Sequence, residues 1–386
     1  MLVEPKVRGF ICATAHPIGC EESVIRQIKY VKRHEKKEGP RKILIIGAST
    51  GYGLASRIAT TYTYGAATLG VMFEKAATDT RTATAGYYNT VAFEKHAKAD
   101  GYYAKSINGD AFSEEIKLQT IEAIKRDLGK VDLVIYSIAA PRRTTAEGIT
   151  YSSVLKTTNE PYTNRTLDLR TNELSLVTIA AATKEEEEGT IKVMGGEDWK
   201  LWMDALRQAD VLAAGARTIA YSYIGPKLTY PIYHQGTIGM AKRDLYETSL
   251  KINQDMQALD GKAYIAVNKA LVTQASSAIP VVPLYISILY TVMKKKGLHE
   301  GCIEQMDRLF YERFRQVDIL TDEQGYIRMD DYELREDVQT EVEYLWDTVN
   351  QENLKEIADI DGYWEDFYHM FGFRYDNINY SKEVEI

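Results

Sequence analysis

The sequence predicts an α/β fold built on a doubly wound parallel sheet, with insertions and extra C-terminal helices. Three observations lead there. Lys42-Ile-Leu-Ile-Ile46 is a short β-branched run that passes directly into Gly47-Ala-Ser-Thr-Gly51-Tyr-Gly53 and then into a helix-forming stretch starting near Leu54. Four such strand-then-helix units occupy the first 140 residues, and right-handed crossovers lay units of this kind side by side in one parallel sheet. Two later apolar runs, residues 218–223 and 263–267, read as a fifth and a sixth strand.

Composition narrows the class. A chain of 386 residues, 45% hydrophobic and 26% charged, is that of an ordinary globular protein. A net charge of -8 disfavours a general nucleic-acid or membrane-surface binder but leaves room for a local basic pocket. Cys12, Cys20 and Cys302 cannot all pair, and their spacing matches no zinc motif, so the expectation is idle thiols and no metal. Lys6 and Arg8 precede no sustained apolar core, and the run 278–293 contains Pro280 and Pro283 and falls short of the roughly 20 residues that span a bilayer. A soluble, cytoplasmic protein is expected.

Taken in order, residues 1–40 give a short extended start and an amphipathic stretch, 21–37, with Val24, Ile28 and Val31 on one helical face. His16-Pro-Ile-Gly-Cys20 reads as turn chemistry, with His16 a structural loop residue. The glycine loop differs in spacing from the usual dinucleotide fingerprint. The physics is shared: glycines permit a tight turn and let backbone approach a pyrophosphate at a helix N-terminus. Strand 68–73 ends in Phe73-Glu74. An acid there can accept from the adenosine ribose hydroxyls and repel a 2′-phosphate, which favours NADH over NADPH; a plain surface glutamate is the alternative.

Strand 103–107 leads to Asp110-Ala-Phe-Ser113. Ser113 is a candidate N-cap for a helix with Leu118, Ile121, Ile124 and Leu128 on one face, closed by Gly129. Asp110 suits either the adenine amino group or a simple turn. Strand 132–136 runs into Ser137-Ile-Ala-Ala-Pro141, whose small residues suit the nicotinamide half of a cofactor, and Arg142 and Arg143 could meet substrate phosphates or simply be solvated. Residues 144–200, rich in Thr, Asn and Glu, read as an insertion covering part of a site. After the sixth strand, backbone groups of residues 271–273 are placed to bond a nicotinamide amide, and residues 279–284 read as an acyl-channel wall or as plain core. The last hundred residues read as helices packed around the sheet, without nameable chemistry.

Tyr233 and Lys242 follow the fifth strand, nine positions apart, which is about two and a half helical turns and one side of a helix if both belong to it. With 27 tyrosines in the chain, such spacing arises by chance; the upstream glycine loop gives it meaning. Reduction of an activated double bond needs a neutral donor aimed at oxyanion charge, and a lysine able to lower the phenol's pKa and hold ribose hydroxyls.

These segments together resemble the trans-2-enoyl-CoA reductases and the FabV-type enoyl-acyl-carrier-protein reductases, one family within the short-chain dehydrogenase/reductase superfamily. The resemblance spans essentially all 386 residues. It includes the His16 and Gly47 motifs, Phe73-Glu74, Asp110-Ala-Phe-Ser113, Tyr136-Ser-Ile-Ala-Ala-Pro141 and Val193-Met-Gly-Gly-Glu-Asp-Trp199. It continues through Tyr221-Ser-Tyr-Ile-Gly225, the Tyr233/Lys242 pair and Leu271-Val-Thr-Gln-Ala-Ser276. It implies a Rossmann-type fold and NADH-dependent reduction of the 2,3 double bond of an enoyl thioester on coenzyme A or acyl carrier protein, by a monomer.

Residue by residue, the resemblance implies Tyr233 as proton donor, Lys242 as cofactor-binding lysine and Tyr223 as a substrate contact. Gly47, Ala48, Ser49, Thr50, Gly51, Tyr52, Phe73, Glu74, Asp110, Ala111, Ile138, Ala139, Leu271, Val272 and Thr273 match cofactor contacts. Tyr87 stands where tryptophan is expected, which bears on local packing. The organisation that follows is one reductase unit over 1–386: a dinucleotide-binding core at roughly 40–290, the covering insertion at 144–200 and a helical part at 291–386. A carbonyl reductase of the same superfamily and a non-catalytic NAD-binding protein are the alternatives.

Overall fold

The computed structural model describes residues 1–9, 11–274, 276, 279–314 and 319–386. Its central sheet is assembled from β1 (Lys42–Ile46), β2 (Ala67–Met72), β3 (Ala104–Asn108), β4 (Val131–Tyr136), β5 (Leu212–Ser222), β6 (Lys262–Val267) and β7 (Tyr326–Arg328). The spatial order is 3-2-1-4-5-6-7 and every neighbouring pair is parallel. The order reverses between β1 and β4, and crevices of this kind, at the carboxyl ends of the strands, are where doubly wound sheets bind ligands.

Twelve α-helices surround the sheet among the described residues. The first six are α1 (Pro17–Val31), α2 (Gly51–Tyr64), α3 (Ala85–Ala99), α4 (Glu114–Ala123), α5 (Lys184–Met194) and α6 (Glu197–Gln208). The others are α7 (Thr237–Asp255), α8 (Val282–Lys295), α9 (Cys302–Arg308), α10 (Glu336–Thr348), α11 (Leu354–Ile357) and α12 (Ile360–His369).

Strand periodicity decides what each face of the sheet covers. Ile43 and Ile45 pack with Ile28 of α1, Leu54 of α2, Phe93 of α3 and Met306 of α9. Leu44 and Ile46 point the other way, to Ile121 of α4, Trp202 of α6 and Leu245 of α7. Both faces are therefore dry, which is why the strand is apolar at every position after Lys42. A third cluster gathers just past the carboxyl ends of β5 and β6. There α8, α10 and α12 meet Leu271, Val272, Tyr223 and Tyr233, together with Leu167 and Ile179 of an antiparallel hairpin, Tyr162–Asp168 paired with Glu173–Ile179.

Four expectations are corrected. β7 is a strand contributed by the C-terminal part, so that part is not purely helical and the sheet draws on residues beyond 290. Leu118 is exposed and Ile116 takes its place on the buried face of α4, because 116, 120 and 124 follow the helical period from the Ser113 cap. His16-Pro-Ile-Gly-Cys20 is a helix start: Pro17 occupies the first turn of α1, the His16 ring accepts from the Gly19 N–H at 3.2 Å, and α1 ends at Val31, short of residue 37. Tyr233 is not on the helix that carries Lys242; α7 begins at Thr237, after a turn containing Pro231 and an extended Gly236 cap.

The N-terminal helix is seated on the far end of the chain. His16 N–H donates to the Phe371 carbonyl at 2.9 Å, and a Cβ on Gly19 would stand 1.6 Å from the Gly372 carbonyl oxygen, so only glycine allows this approach.

Candidate active site

The crevice between β1 and β4 is shaped by glycines. Gly47 leaves β1 at φ +88°, and a Cβ there would lie 2.2 Å from the Ser137 carbonyl oxygen on the loop after β4. A Cβ on Gly53 would lie 1.8 Å from the Gly47 carbonyl oxygen, so the first turn of α2 sits directly on the loop. Thr50 caps α2 without a side-chain hydrogen bond, and no acid stands in the first turn. The positive end of the helix dipole is thus open to a phosphate.

The acid after β2 is fixed in place. Glu74 accepts from the Ser49 hydroxyl at 2.6 Å, and Asn108 brackets its backbone, accepting from Glu74 N–H at 2.8 Å and donating to its carbonyl at 2.9 Å. Asn89 donates to the Ser49 carbonyl at 3.2 Å, and a Cβ on Gly86 would collide with the Glu74 carboxylate at 2.1 Å. Asn89, Gly86 and Asn108 were not singled out by the sequence; their roles depend on packing across the switch point. Phe73 is exposed beside Glu74. Asp110 accepts from Phe112 N–H at 3.0 Å, the turn alternative, and the Ala111 carbonyl accepts from Lys117 and Trp202. Ile138 is half-buried and Ala139 exposed.

Arg143 does not serve as a phosphate contact. Its guanidinium is buried, donating to Glu197 at 2.6 Å and to the Lys192 carbonyl at 2.7 Å, because the insertion folds over it; Arg142 is exposed.

The tyrosines lie at the ends of β5 and β6. Rings of Tyr223 and Tyr233 meet edge to face, 4.8 Å between centroids, although Tyr233 comes from the turn before α7. Lys242, from the second turn of α7, donates to the Tyr221 carbonyl at 3.1 Å. Burial pulls its ammonium down to about 8. Burial, with the Glu333 charge and Tyr363, pushes the Tyr233 phenol well up, and Lys242 does not offset this. Tyr233 therefore stays protonated at neutral pH, and Lys242 points its ammonium at the Tyr221 carbonyl.

Behind them lies a polar layer that the sequence did not reveal. Glu333 is fully buried and accepts from Tyr223, Tyr285 and Ala270 N–H. The backbone of residues 269–273 is held from several sides. Gln305 accepts from Lys269 N–H at 3.0 Å, Tyr52 donates to the Lys269 carbonyl at 2.9 Å and Tyr290 accepts from Val272 N–H at 3.3 Å. Ser276 accepts from Thr273 N–H at 2.9 Å and donates to the Leu271 carbonyl at 2.6 Å. With Val272 and Thr273 N–H engaged this way, Leu271 to Thr273 form a braced segment past the end of β6. Ala275, Ser277 and Ala278, part of the same stretch, lie outside the described residues. Of the proposed acyl wall, Val281, Val282 and Leu284 are core residues in the same cluster as Tyr223 and Tyr233.

A doubly wound sheet with a glycine cradle at its switch point, an acid after its second strand, and a tyrosine and a lysine at its strand ends defines a dinucleotide-dependent oxidoreductase. Comparison with known proteins narrows the class. Residues 2–79 match the NAD(P)H binding domain of trans-2-enoyl-CoA reductase, 81–314 the trans-2-enoyl-CoA reductase catalytic region, and 321–384 the enoyl reductase FAD binding domain. The chain is 54% identical to a trans-2-enoyl-CoA reductase [NADH] of Ruminiclostridium cellulolyticum, covering 100% of this chain and 98% of that one. It is 55% identical to an NADH enoyl-acyl-carrier-protein reductase of Cytophaga hutchinsonii, with the same coverage. The crystal structure of the Clostridium acetobutulicum trans-2-enoyl-CoA reductase in complex with NADH superposes with a TM-score of 0.97 at 45% identity, covering 100% of this chain and 98% of that one. The chain belongs to the trans-2-enoyl-CoA reductase and enoyl-acyl-carrier-protein reductase family.

A nicotinamide dinucleotide fits the residues present: the crevice has glycines where a Cβ would close it, an open helix N-terminus and a bracketed acid. A flavin does not fit residues 321–384. Their inward side chains, Val338, Val342, Trp346, Tyr363 and Phe367, are at most 4% exposed, and the carboxylates Asp330 and Glu333 are taken by Arg328 and by the Glu333 partners above.

Proposed function

We propose that this chain reduces the 2,3 double bond of a trans-2-enoyl thioester, carried on coenzyme A or acyl carrier protein, with NADH. The observation that carries the reading is the Tyr223–Tyr233 pair beside Lys242 at the carboxyl ends of β5 and β6, on the same side as the glycine cradle. Bound NADH supplies the hydride that reaches the β-carbon. Tyr233, kept protonated by burial, hydrogen-bonds the thioester carbonyl oxygen as it takes on enolate charge, an interaction strongest in the transition state. As the carbonyl re-forms, the α-carbon takes a proton that comes ultimately from solvent, which completes the saturated thioester. Lys242 holds the nicotinamide ribose hydroxyls, Tyr223 contacts the substrate, and the backbone at Leu271, Val272 and Thr273 faces the nicotinamide. Residues 47–52 take the pyrophosphate, Phe73 and Asp110-Ala111 the adenine, Glu74 the adenosine ribose, and Ile138-Ala139 the nicotinamide side.

The same reading takes 1–386 as one reductase unit, with the insertion 144–200 covering the site. Tyr162–Asp168 and Glu173–Ile179 support it by placing Leu167 and Ile179 in one cluster with the tyrosines. We place the protein in the cytoplasm as a monomer, in fatty-acid synthesis or butyrate-type metabolism. Three free cysteines are in keeping with that compartment.

The test is NADH oxidation with crotonyl-CoA, with longer enoyl groups on both carriers, and with simple ketones. Turnover of ketones without turnover of enoyl thioesters would sink the reading in favour of a carbonyl reductase. Two further outcomes are expected. Glu74→Ala removes the carboxylate that would repel a 2′-phosphate, and the NADH-over-NADPH ratio of kcat/KM should fall by about tenfold, near 1.4 kcal/mol; an unchanged ratio refutes the role. The Lys242 ammonium, lowered by burial, is charged below about pH 8 and neutral above it. Accordingly kcat/KM for NADH should decline through that pH, by about tenfold per unit once the charge is lost. A profile flat from pH 7 to 10 would remove the lysine charge from cofactor binding.

A further inference from the structure

Glu333 enters from the C-terminal part, between β7 and α10, and is fully buried. Its Oε1 accepts from the Tyr285 hydroxyl at 2.6 Å and from the Tyr223 hydroxyl at 3.1 Å, while its Oε2 accepts from the Ala270 N–H at 2.7 Å. A backbone N–H can only donate, and two phenols converging on one oxygen are both satisfied when that oxygen is a carboxylate acceptor. Burial works against the charge and, with Asp330 nearby, holds the carboxyl above the ordinary glutamate range, while the Tyr285 hydroxyl, the Lys269 ammonium and the Ala270 N–H work for the charge. The acceptor role is read from the hydrogen-bond geometry.

A phenol has one proton. With that proton held by Glu333, the Tyr223 oxygen offers the rest of the cleft lone pairs alone. Tyr233, whose ring abuts Tyr223, makes no hydrogen bond through its hydroxyl to another described residue. The carboxylate that engages Tyr223 also engages Ala270, the residue directly before Leu271, Val272 and Thr273. Glu333 thus sets the substrate-side phenol in register with the stretch of backbone assigned to the nicotinamide.

We propose that Glu333 is a positioning residue for the reduction. It keeps Tyr223 as an acceptor and locks it to the backbone at Ala270, so that Tyr233 is the phenol that donates to the substrate oxygen. This rests on the reading of Tyr233 as donor given above.

A double-mutant cycle tests it. Glu333→Gln is made in the parent chain and in Tyr223→Phe, and kcat with crotonyl-CoA is measured with KM for NADH. Glutamine keeps the shape and an oxygen for Ala270 N–H, but its amide group donates where the carboxylate accepted. The expected result is a loss of about tenfold in kcat in the parent chain and less than about twofold in Tyr223→Phe, with KM for NADH little changed, since residues acting as a unit are non-additive. Equal losses in both backgrounds, with a raised KM for NADH, would overturn the proposal and leave Glu333 a brace for Ala270. Should Glu333→Gln not fold, Glu333→Asp, which keeps the charge but is one methylene shorter, takes its place in the same cycle with the same two outcomes. Tyr233→Phe measured alongside keeps the readings apart: near-normal turnover there refutes the donor assignment whatever the cycle shows.

Discussion

Tyr233→Phe is expected to lower kcat with crotonyl-CoA by about 10²–10⁴-fold, the usual range for removing a general acid from a reaction. The dissociation constant of NADH should hardly move. The substitution deletes one oxygen and keeps the ring, so the edge-to-face contact with Tyr223 survives and the turn before α7 keeps its packing. What disappears is a donor whose proton burial protects at neutral pH and whose value lies in meeting charge that forms during the reaction. NADH binding by titration and turnover by steady-state kinetics separate the two effects. Turnover close to that of the parent chain would take Tyr233 out of the mechanism.

Gly47→Ala is expected to abolish NADH binding at ordinary concentrations, with an affinity loss above about 100-fold, and to lower the melting temperature. Two costs combine. At φ +88° an L side chain is strained by roughly 1–2 kcal/mol. The new Cβ would also stand 2.2 Å from the Ser137 carbonyl oxygen, a backbone atom that cannot swing aside as a side-chain tip can. Relief requires the loops after β1 and β4 to part, and those are the loops that shape the crevice. Gly53 repeats the constraint from the helix side, since its Cβ position is set against the Gly47 carbonyl. Isothermal titration with NADH and thermal unfolding measure the two consequences; unimpaired binding would show that the loop is not where the dinucleotide lies.

What the sequence revealed is largely what local chemistry imposes. β1, β2, β4 and β6 are short, mostly apolar runs because both faces of the sheet are covered there, and the glycine loop is visible because the backbone itself needs those glycines. β7 escaped notice for the converse reason. Tyr326–Arg328 is three residues long with one buried apolar side chain, and pairing to the edge of β6 makes it a strand. The Tyr233–Lys242 spacing suggested a single helix, yet Pro231 and Gly236 were already the signals of a turn followed by a helix start. Arg143 looked like a solvated arginine until Glu197 and the Lys192 carbonyl closed over it. Glu333 was the least legible of all, since an acid 110 positions from Tyr223 carries no spacing that points to it.

The seat of α1 on Phe371 and Gly372 bears on how this protein is made. The docking surface of residues 16–20 is made about 350 residues after them. At the roughly 5–20 residues per second of synthesis, that interval is on the order of 20–70 s. Through it the apolar stripe of Val24, Ile28 and Val31 has the sheet to pack on once β1 and α2 form, but the His16 N–H and the Gly19 backbone still lack the surface of Phe371 and Gly372. The nascent chain therefore carries this seat unfilled until residues 371 and 372 emerge. Substitutions at Gly19 or Gly372 should consequently show first as poor yield of soluble protein rather than as altered kinetics of the molecules that do fold.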